Sequence, residues 1–490
     1  MTFNSLLFLC FWFLVWSAHW LLPTERRRHW LLLGASFLFY ACSDLVADGG
    51  FAGPAGMQRA LLHVSLLLGF MVIGWGCGLM TARAREAEDA PRAKRWMAGG
   101  VAACLLLLGT FKYTGFLLAT LQALLTACAL PVNLPGWQPE LPVGISFFAF
   151  HAVCYIVDLY RRTLPQARNF RQVSLYIGFF PHLVAGPIVR ATDFVPQLER
   201  PKRLDANDML NGLRWVLAGF VAKCVFADHL AEFADVVFRA PADYDRLSLF
   251  GAVSAYYGQI YFDFHGYSLM AIGVAKTLGY WFPPNFLHPY GAASIGDFWR
   301  RWHVSLSCWL RDYLYIGLGG NRGPMMFVLR NLMLAMLLGG LWHGASWNFV
   351  LWGALHGSGL CVERLWRQWS DRREPGRQAG PLQIAFAWLF TQSFVLLCWI
   401  PFRCTSLADT TTVVQGLLGW GAAGSTSVEV PWLLILLPLL VDTFIIGQKA
   451  FFERLTQERT WLLHAVLIAG FFLALMLMYL GTKPFIYFQF

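Results

Sequence analysis

The sequence predicts an all-α, polytopic membrane helix bundle of about eleven spans, with re-entrant or broken helices around a central chamber. Three observations carry this. Of 490 residues, 57% are hydrophobic, 16% aromatic and only 13% charged, with a mean hydropathy of +0.51; an ordinary soluble domain is about 25% charged. A single soluble core stops growing at about 250–300 residues, so the excess apolar surface must face lipid and a soluble enzyme is excluded. Runs able to cross a hydrocarbon core of about 30 Å, which takes about 20 helical residues, begin near Leu6, Trp30, Leu61, Met97, Leu141, Leu213, Leu249, Asn331, Leu382, Trp432 and Trp461.

The connecting segments order these runs across the bilayer. The first basic residue is Arg26, so the Leu6 run lacks the charged start of a cleavable signal peptide and is expected as an uncleaved span. Arg26 to Arg28, the cluster Arg83, Arg85, Arg92, Lys94 and Arg95, and the group Arg161, Arg162, Arg168 and Arg171 occupy every second loop. The loops between them, Asp48 to Gln58 and Pro131 to Glu140, have no Lys or Arg. By the positive-inside rule the basic loops are cytoplasmic and both termini are periplasmic. The net charge of +10 then belongs to loops, and no basic stripe interleaved with exposed aromatics points to nucleic acid. The eleven cysteines include no CxxC pair and are read as small buried apolar residues, with no disulfide frame or metal site.

Three segments break the alternation. Tyr176 to Val189 is apolar yet flanked by basic residues on both sides, and it contains Pro181, Gly186 and Pro187, so a re-entrant or broken helix is expected. Phe298 to Leu318 lies between Arg300, Arg301 and Arg322 and is expected to dip in from the cytoplasmic face. Asn331 to Leu365 would be about 52 Å long as one helix, yet Arg330 and Arg364 bracket it, so it must return, with the turn near Gly339, Gly340 and Gly344. Irregular backbone at membrane depth is tolerated only when buried in protein or lining a cavity, so the breaks point to an internal chamber. Trp366 to Gly380 reads as a polar loop, no internal repeat is visible, and the chain is read as one integral domain over residues 1–490.

Two histidines stand out chemically. His343 lies in LWHGASWN beside Trp342 and Asn348, at the break of a very apolar run, where an unpaired ionisable group costs about 2.5 kcal/mol or more. His303 lies in FWRRWHVSLSCWLR, where helical spacing puts Trp299, His303 and Ser307 on one face. A buried neutral imidazole can accept a proton, so either residue suits a general base. The alternative for any membrane histidine is an interhelical hydrogen bond, the role expected of His63, His229, His288, His356 and His464. Haem ligation by the pair is disfavoured because both sit in broken segments and not on facing helices. Arg300, Arg301 and Arg311 suit the phosphates of a cytoplasmic donor, and equally suit topology alone. The glycines of GLGGNRG, Gly317 to Gly323, are too loosely patterned for a dinucleotide site and are expected to form a tight turn.

The segments FFPHLVAGPIVR (from Phe179), YFDFHGYSLMAIG (from Tyr261), FWRRWHVSLSCWLRDYLYIGLGGNRG (from Phe298) and LWHGASWNFVLWGALHG (from Leu341) resemble the membrane-bound O-acyltransferase family, most of all its bacterial branch that acetylates alginate. The motif-bearing core spans about residues 140–360. His265 and Leu269 depart from the pattern, standing where a small residue and an acid are usual. The resemblance implies a tunnel through the inner membrane, an acyl-CoA donor, acetyl-CoA, taken up as a substrate from the cytoplasm, no resident cofactor or metal, and transfer towards an extracytoplasmic polysaccharide such as alginate or cellulose. It implies His343 as catalytic base, His303 as a second, supporting histidine, and extracytoplasmic acyltransferase or acceptor proteins as partners. Trp342 and Asn348, with the Gly344 backbone, are candidates to hold the donor and its developing oxyanion. A transporter or flippase for a lipid-linked sugar is the competing function. An acyl-enzyme through Ser305, Ser307 or Cys308 is the competing route.

The charge alternation makes a topological prediction. Reporters fused at Glu88 and Arg373 should read cytoplasmic, and those at Pro135 and Ser425 periplasmic. A periplasmic signal at Arg373 would mean that Asn331 to Leu365 crosses only once.

Overall fold

The computed structural model describes residues 2–47, 50–137, 139–373, 379–420, 424–440 and 442–443, with the isolated positions 465, 468–470, 472–473 and 476. Of the run expected from Trp461 only those isolated positions are described, and His464 lies outside the described residues. Regular structure among the described residues is helical, apart from a two-residue ribbon pairing Val46–Ala47 with Gly50–Phe51. Four helices are long and apolar enough to cross a membrane: Gly53–Glu86, Ala206–Arg239, Met325–His343 and Pro381–Arg403. Ala90–Lys112 with Thr114–Ala127, bent by 63°, makes a fifth if the two are one span. By length and composition the described residues thus carry four or five such spans, against about eleven expected; Leu6–Leu21 has only 16 residues, while Glu25–Leu45 and Arg246–Thr277 are long, continuous helices that are less apolar. No disulfide joins cysteines among the described residues.

The chain forms two compact units, residues 1–216 with 271–283, and residues 217–270 with 284–490. In the first, small residues let helices touch. Gly78 meets the Tyr155 ring and Gly100 meets Cys77, so close that a Cβ at either would lie 2.6 Å from its nearest neighbour. Lipid tails give helices no hydrophobic reason to associate, so close van der Waals packing of this kind carries the contact. The expected break in Tyr176 to Val189 is present. A helix over Phe170–Gly178 stops, a single turn covers Phe180–Leu183, and irregular chain follows to Arg190. Pro181 and Pro187 have no N–H to continue a helix. The whole stretch is buried, and its backbone finds side-chain partners: Ser36 Oγ accepts from the Phe180 N–H at 3.0 Å, and Tyr176 OH donates to the Val189 carbonyl at 3.0 Å.

The second unit contains the other two breaks. Phe298 to Leu318 is a helix over Ile295–Arg301, a second over Val304–Trp309 and a π-turn over Leu310–Tyr315. The chain reverses its helical sense at His303, where φ is +42°. The single helical face expected for Trp299, His303 and Ser307 is therefore not formed, because the left-handed residue ends one helix before the next begins. Asn331 to Leu365 is an antiparallel hairpin of Met325–His343 and Trp347–Arg373. Its turn is Gly344 to Ser346, whereas Gly339 and Gly340 stay helical. Gly340 faces the Phe349 carbonyl and Gly353 faces the Met336 carbonyl, 2.5 Å from an added Cβ, so these glycines permit close approach and do not bend the chain.

Trp366 to Arg373 continues the second hairpin helix and is not a loop. The i,i+4 pair Glu363–Arg367 and the stacking of Arg373 over Trp369 support those turns. Gly317 to Gly323 forms the expected turn, with φ of +110° at Gly319 and +58° at Gly320. In Ala206–Arg239 a π-turn at Ala222–Ala227 carries Lys223, whose Nζ lies 2.7 Å from Asp228 and 2.5 Å from Asp263. Gly219 and Gly266 abut there, each facing the other's carbonyl.

The hairpin contact gives a test. Gly353→Val drives a branched side chain into the Met336 carbonyl and should cost about 1–3 kcal/mol or more, lowering the thermal midpoint of detergent-solubilised protein by at least about 2 °C. Gly34→Ala, where a Cβ meets nothing within 4 Å, should leave it unchanged or raise it. Equal midpoints for the two variants would contradict the packing described.

Candidate functional site

His343 is the last residue of Met325–His343 and is 4% exposed. Rings surround it: Trp352 at 4.9 Å between centroids, Trp342 at 5.0 Å, Phe402 at 5.1 Å and Phe349 at 6.5 Å. Gly344 follows because a Cβ there would strike the Phe349 ring. The hairpin tip is fastened by Asn348, which donates from Nδ2 to the Cys404 carbonyl at 2.7 Å and accepts from Thr410 Oγ1 at 3.3 Å. Asn348 thus acts as a strut in this structure, and the Gly344 N–H turns back to the Gly340 carbonyl at 3.4 Å.

His303 is fully buried and is held by a residue that sequence reasoning missed. Asn285 Oδ1 lies 3.0 Å from His303 Nδ1 and also accepts from Ser305 Oγ at 2.9 Å, while its Nδ2 donates to Ser268 Oγ at 3.2 Å. An amide oxygen can only accept, so His303 Nδ1 carries the proton and Nε2 presents the lone pair. The Val304 N–H donates to the Asn285 carbonyl at 2.8 Å, so one residue fixes both the ring and the turn beneath it. The signal for Asn285 was slight, a single amide in the apolar loop WFPPNFLHPY.

Trp342 joins the two histidines, its ring 6.0 Å from His303 and 5.0 Å from His343. Trp302, Trp352 and Trp399 extend the aromatic wall and were also missed, because in a chain with 22 tryptophans none stands out by pattern. Ser305 Oγ is committed to Asn285, and Ser307 Oγ donates to the Trp302 carbonyl at 3.2 Å. The arginines are engaged by carboxylates. Arg300 and Arg301 share the Asp297 carboxylate at 3.2 and 2.9 Å, and Arg311 makes a two-pronged contact with Asp312 at 2.7 and 3.2 Å. Arg300 and Arg311 are exposed and Arg301 is partly so.

A buried base candidate, a second imidazole with a fixed lone pair and an aromatic enclosure suit proton transfer with water excluded. The model of the membrane-bound O-acyltransferase family matches residues 106–399, which include both histidines. A probable alginate O-acetylase AlgI of Azotobacter vinelandii is 39% identical over 83% of this chain and 76% of its own length. The probable alginate O-acetylase AlgI of Pseudomonas aeruginosa is 37% identical over 86% of this chain and 75% of its own. A peptidoglycan O-acetyltransferase of Helicobacter pylori is 33% identical over 80% and 73%.

Asn285→Leu removes the acceptor for two buried donors and should destabilise by about 1–3 kcal/mol per donor left unpaired. Ser268→Ala, which only releases Asn285 Nδ2, should cost less. Thermal unfolding in detergent checks the order, and nitrogen NMR of the His303 ring should show the Nδ1-protonated form only while Asn285 is present.

Proposed function

Because the chain belongs to the membrane-bound O-acyltransferase family, and is an O-acyltransferase on that account, we propose that it moves an acetyl group from cytoplasmic acetyl-CoA across the inner membrane to hydroxyls of an extracytoplasmic polysaccharide. The observation that supports this most is the His343–Trp342–His303 constellation, enclosed by aromatic rings inside the family-matched region. The alginate O-acetylases among its relatives favour a polymer of that class, and the peptidoglycan O-acetyltransferase favours a cell-surface glycan more broadly. The competing reading, a carrier for a lipid-linked sugar, finds no support in the family.

In this reading His343 takes the proton of the acceptor hydroxyl as its oxygen attacks the thioester carbon. The C–S bond then breaks and the thiolate of coenzyme A receives the proton from His343, so the ring is restored. His303, with its lone pair fixed on Nε2, orients the chamber and steadies charge that develops there. The aromatic wall keeps water from the thioester, which would otherwise be hydrolysed. Trp342 bounds the acyl position. Arg300, Arg301 and Arg311 receive the donor phosphates in exchange for Asp297 and Asp312. Both termini lie on the periplasmic side, where acceptor proteins or a secreted acyltransferase complete the modification.

His343→Ala should lower acylation by about 100-fold or more while the protein still accumulates, since a ring has become a small void. His303→Ala should lower it less. The O-acetyl content of extracellular polysaccharide, measured in a deletion strain complemented at matched protein levels, checks both. Normal acylation by His343→Ala would sink the reading, and a deeper loss in His303→Ala would exchange the two roles.

A further inference from the structure

Acyl transfer needs a hydrogen-bond donor for the carbonyl oxygen as it becomes an oxyanion, as well as a base. Two side chains beside His343 supply what Asn348 and Gly344, both engaged elsewhere, do not. Trp352 and His356 lie one turn apart on one face of Trp347–Arg373, their rings 4.8 Å apart, and Trp352 also meets the His343 ring edge-on at 4.9 Å. They are 1% and 0% exposed.

The hydrogen bonding of His356 identifies its tautomer. Its Nδ1 accepts from Trp299 Nε1–H at 3.3 Å. A ring that accepts at Nδ1 is neutral and carries its proton on Nε2. Nε2–H is therefore a donor, and among the described residues it has no acceptor; the Trp352 Nε1–H has none either. A buried donor left unpaired costs about 1–3 kcal/mol, and two in neighbouring rings, one of which packs on the candidate base, are not explained by packing, since Phe would fill the Trp352 position without that cost. Each donor lacks the oxygen acceptor that would complement it, and the two rings adjoin each other with Trp352 packed on His343.

We propose that Trp352 Nε1–H and His356 Nε2–H bind the carbonyl oxygen of the acyl donor and hold its negative charge in the transition state. The proposal rests on the acyl-transfer reading and adds to it the acceptor atom's seat. The hydroxyl oxygen bonds to the thioester carbon while its proton passes to His343, and the C=O pair moves onto oxygen under the two N–H groups. When C=O re-forms, the C–S bond breaks and the thiolate takes the proton back from His343.

The test removes one N–H and little else. Trp352→Phe keeps an aromatic ring, and β-(3-benzothienyl)alanine incorporated at position 352 keeps the two-ring outline with sulfur in place of N–H. Transfer should fall about 100-fold to 1,000-fold in both, measured as polysaccharide O-acetyl content in the complemented deletion strain at matched protein levels. The thermal midpoint of the purified proteins should be unchanged or higher, because an unsatisfied donor has gone. Transfer at the wild-type rate by the benzothienyl protein overturns the proposal, as does a loss of transfer matched by a lower midpoint in both variants. His343→Ala run alongside separates the two levels: its unimpaired transfer defeats the acyl-transfer reading, whereas intact transfer in the position 352 variants alone defeats only the oxygen seat.

Discussion

Lipid offers no water to a free N–H or C=O, and each unpaired group costs several kcal/mol. At several places where the described chain leaves regular helix, a side chain takes up freed backbone groups. Ser36 and Tyr176 do so for the Phe179 to Val189 stretch. In the second unit the work falls to asparagines: Asn285 serves the turn at His303, Asn331 donates to the Gly320 carbonyl at 3.1 Å, and Asn348 donates to the Cys404 carbonyl. An amide carries donor and acceptor on one short, uncharged side chain, so it can replace a lost backbone bond without bringing a charge into the apolar body.

Much of the framework was legible from composition and charge. Arg330 and Arg364 force the run between them to return, and the hairpin does return; Pro181, Gly186 and Pro187 announce a break that is present. The hairpin turn begins at Gly344 as expected, but Gly339 and Gly340 are not part of it, because glycine has two uses that look alike in sequence. At Gly340 and Gly353 it lets backbones touch, while at Gly344 it makes room for a neighbouring ring. Trp366 to Arg373 was read as a loop from its polarity, yet charged residues spaced three and four apart extend a helix beyond an apolar stretch. Whether an apolar run makes one straight helix was least legible: Ala90–Lys112 and Thr114–Ala127 are bent by 63° with no proline near the bend to announce it.

The site was legible in its histidines and obscure in its supports. His303 and His343 stand out because an imidazole in an apolar run is expensive. Asn285, Trp352 and His356 gain meaning through contacts with residues 9–57 positions away across breaks in the helices, and no local spacing encodes those. The resulting enclosure is almost wholly aromatic. Rings supply rigid walls and a few N–H donors while offering no carboxylate to compete for a proton. In such a low-dielectric setting a fixed dipole acts far more strongly on developing charge than it does in water.

The left-handed backbone at His303 has an energetic corollary. A non-glycine residue in that conformation costs about 1–2 kcal/mol, which glycine would not incur and asparagine would incur less often. Histidine there keeps the backbone less favourable than glycine would, while its ring gains the hydrogen bond to Asn285 that glycine would lack. Glycine at this position would relax the backbone and release the Asn285 amide together, so the strain at one residue is tied to the order of the turn that follows it.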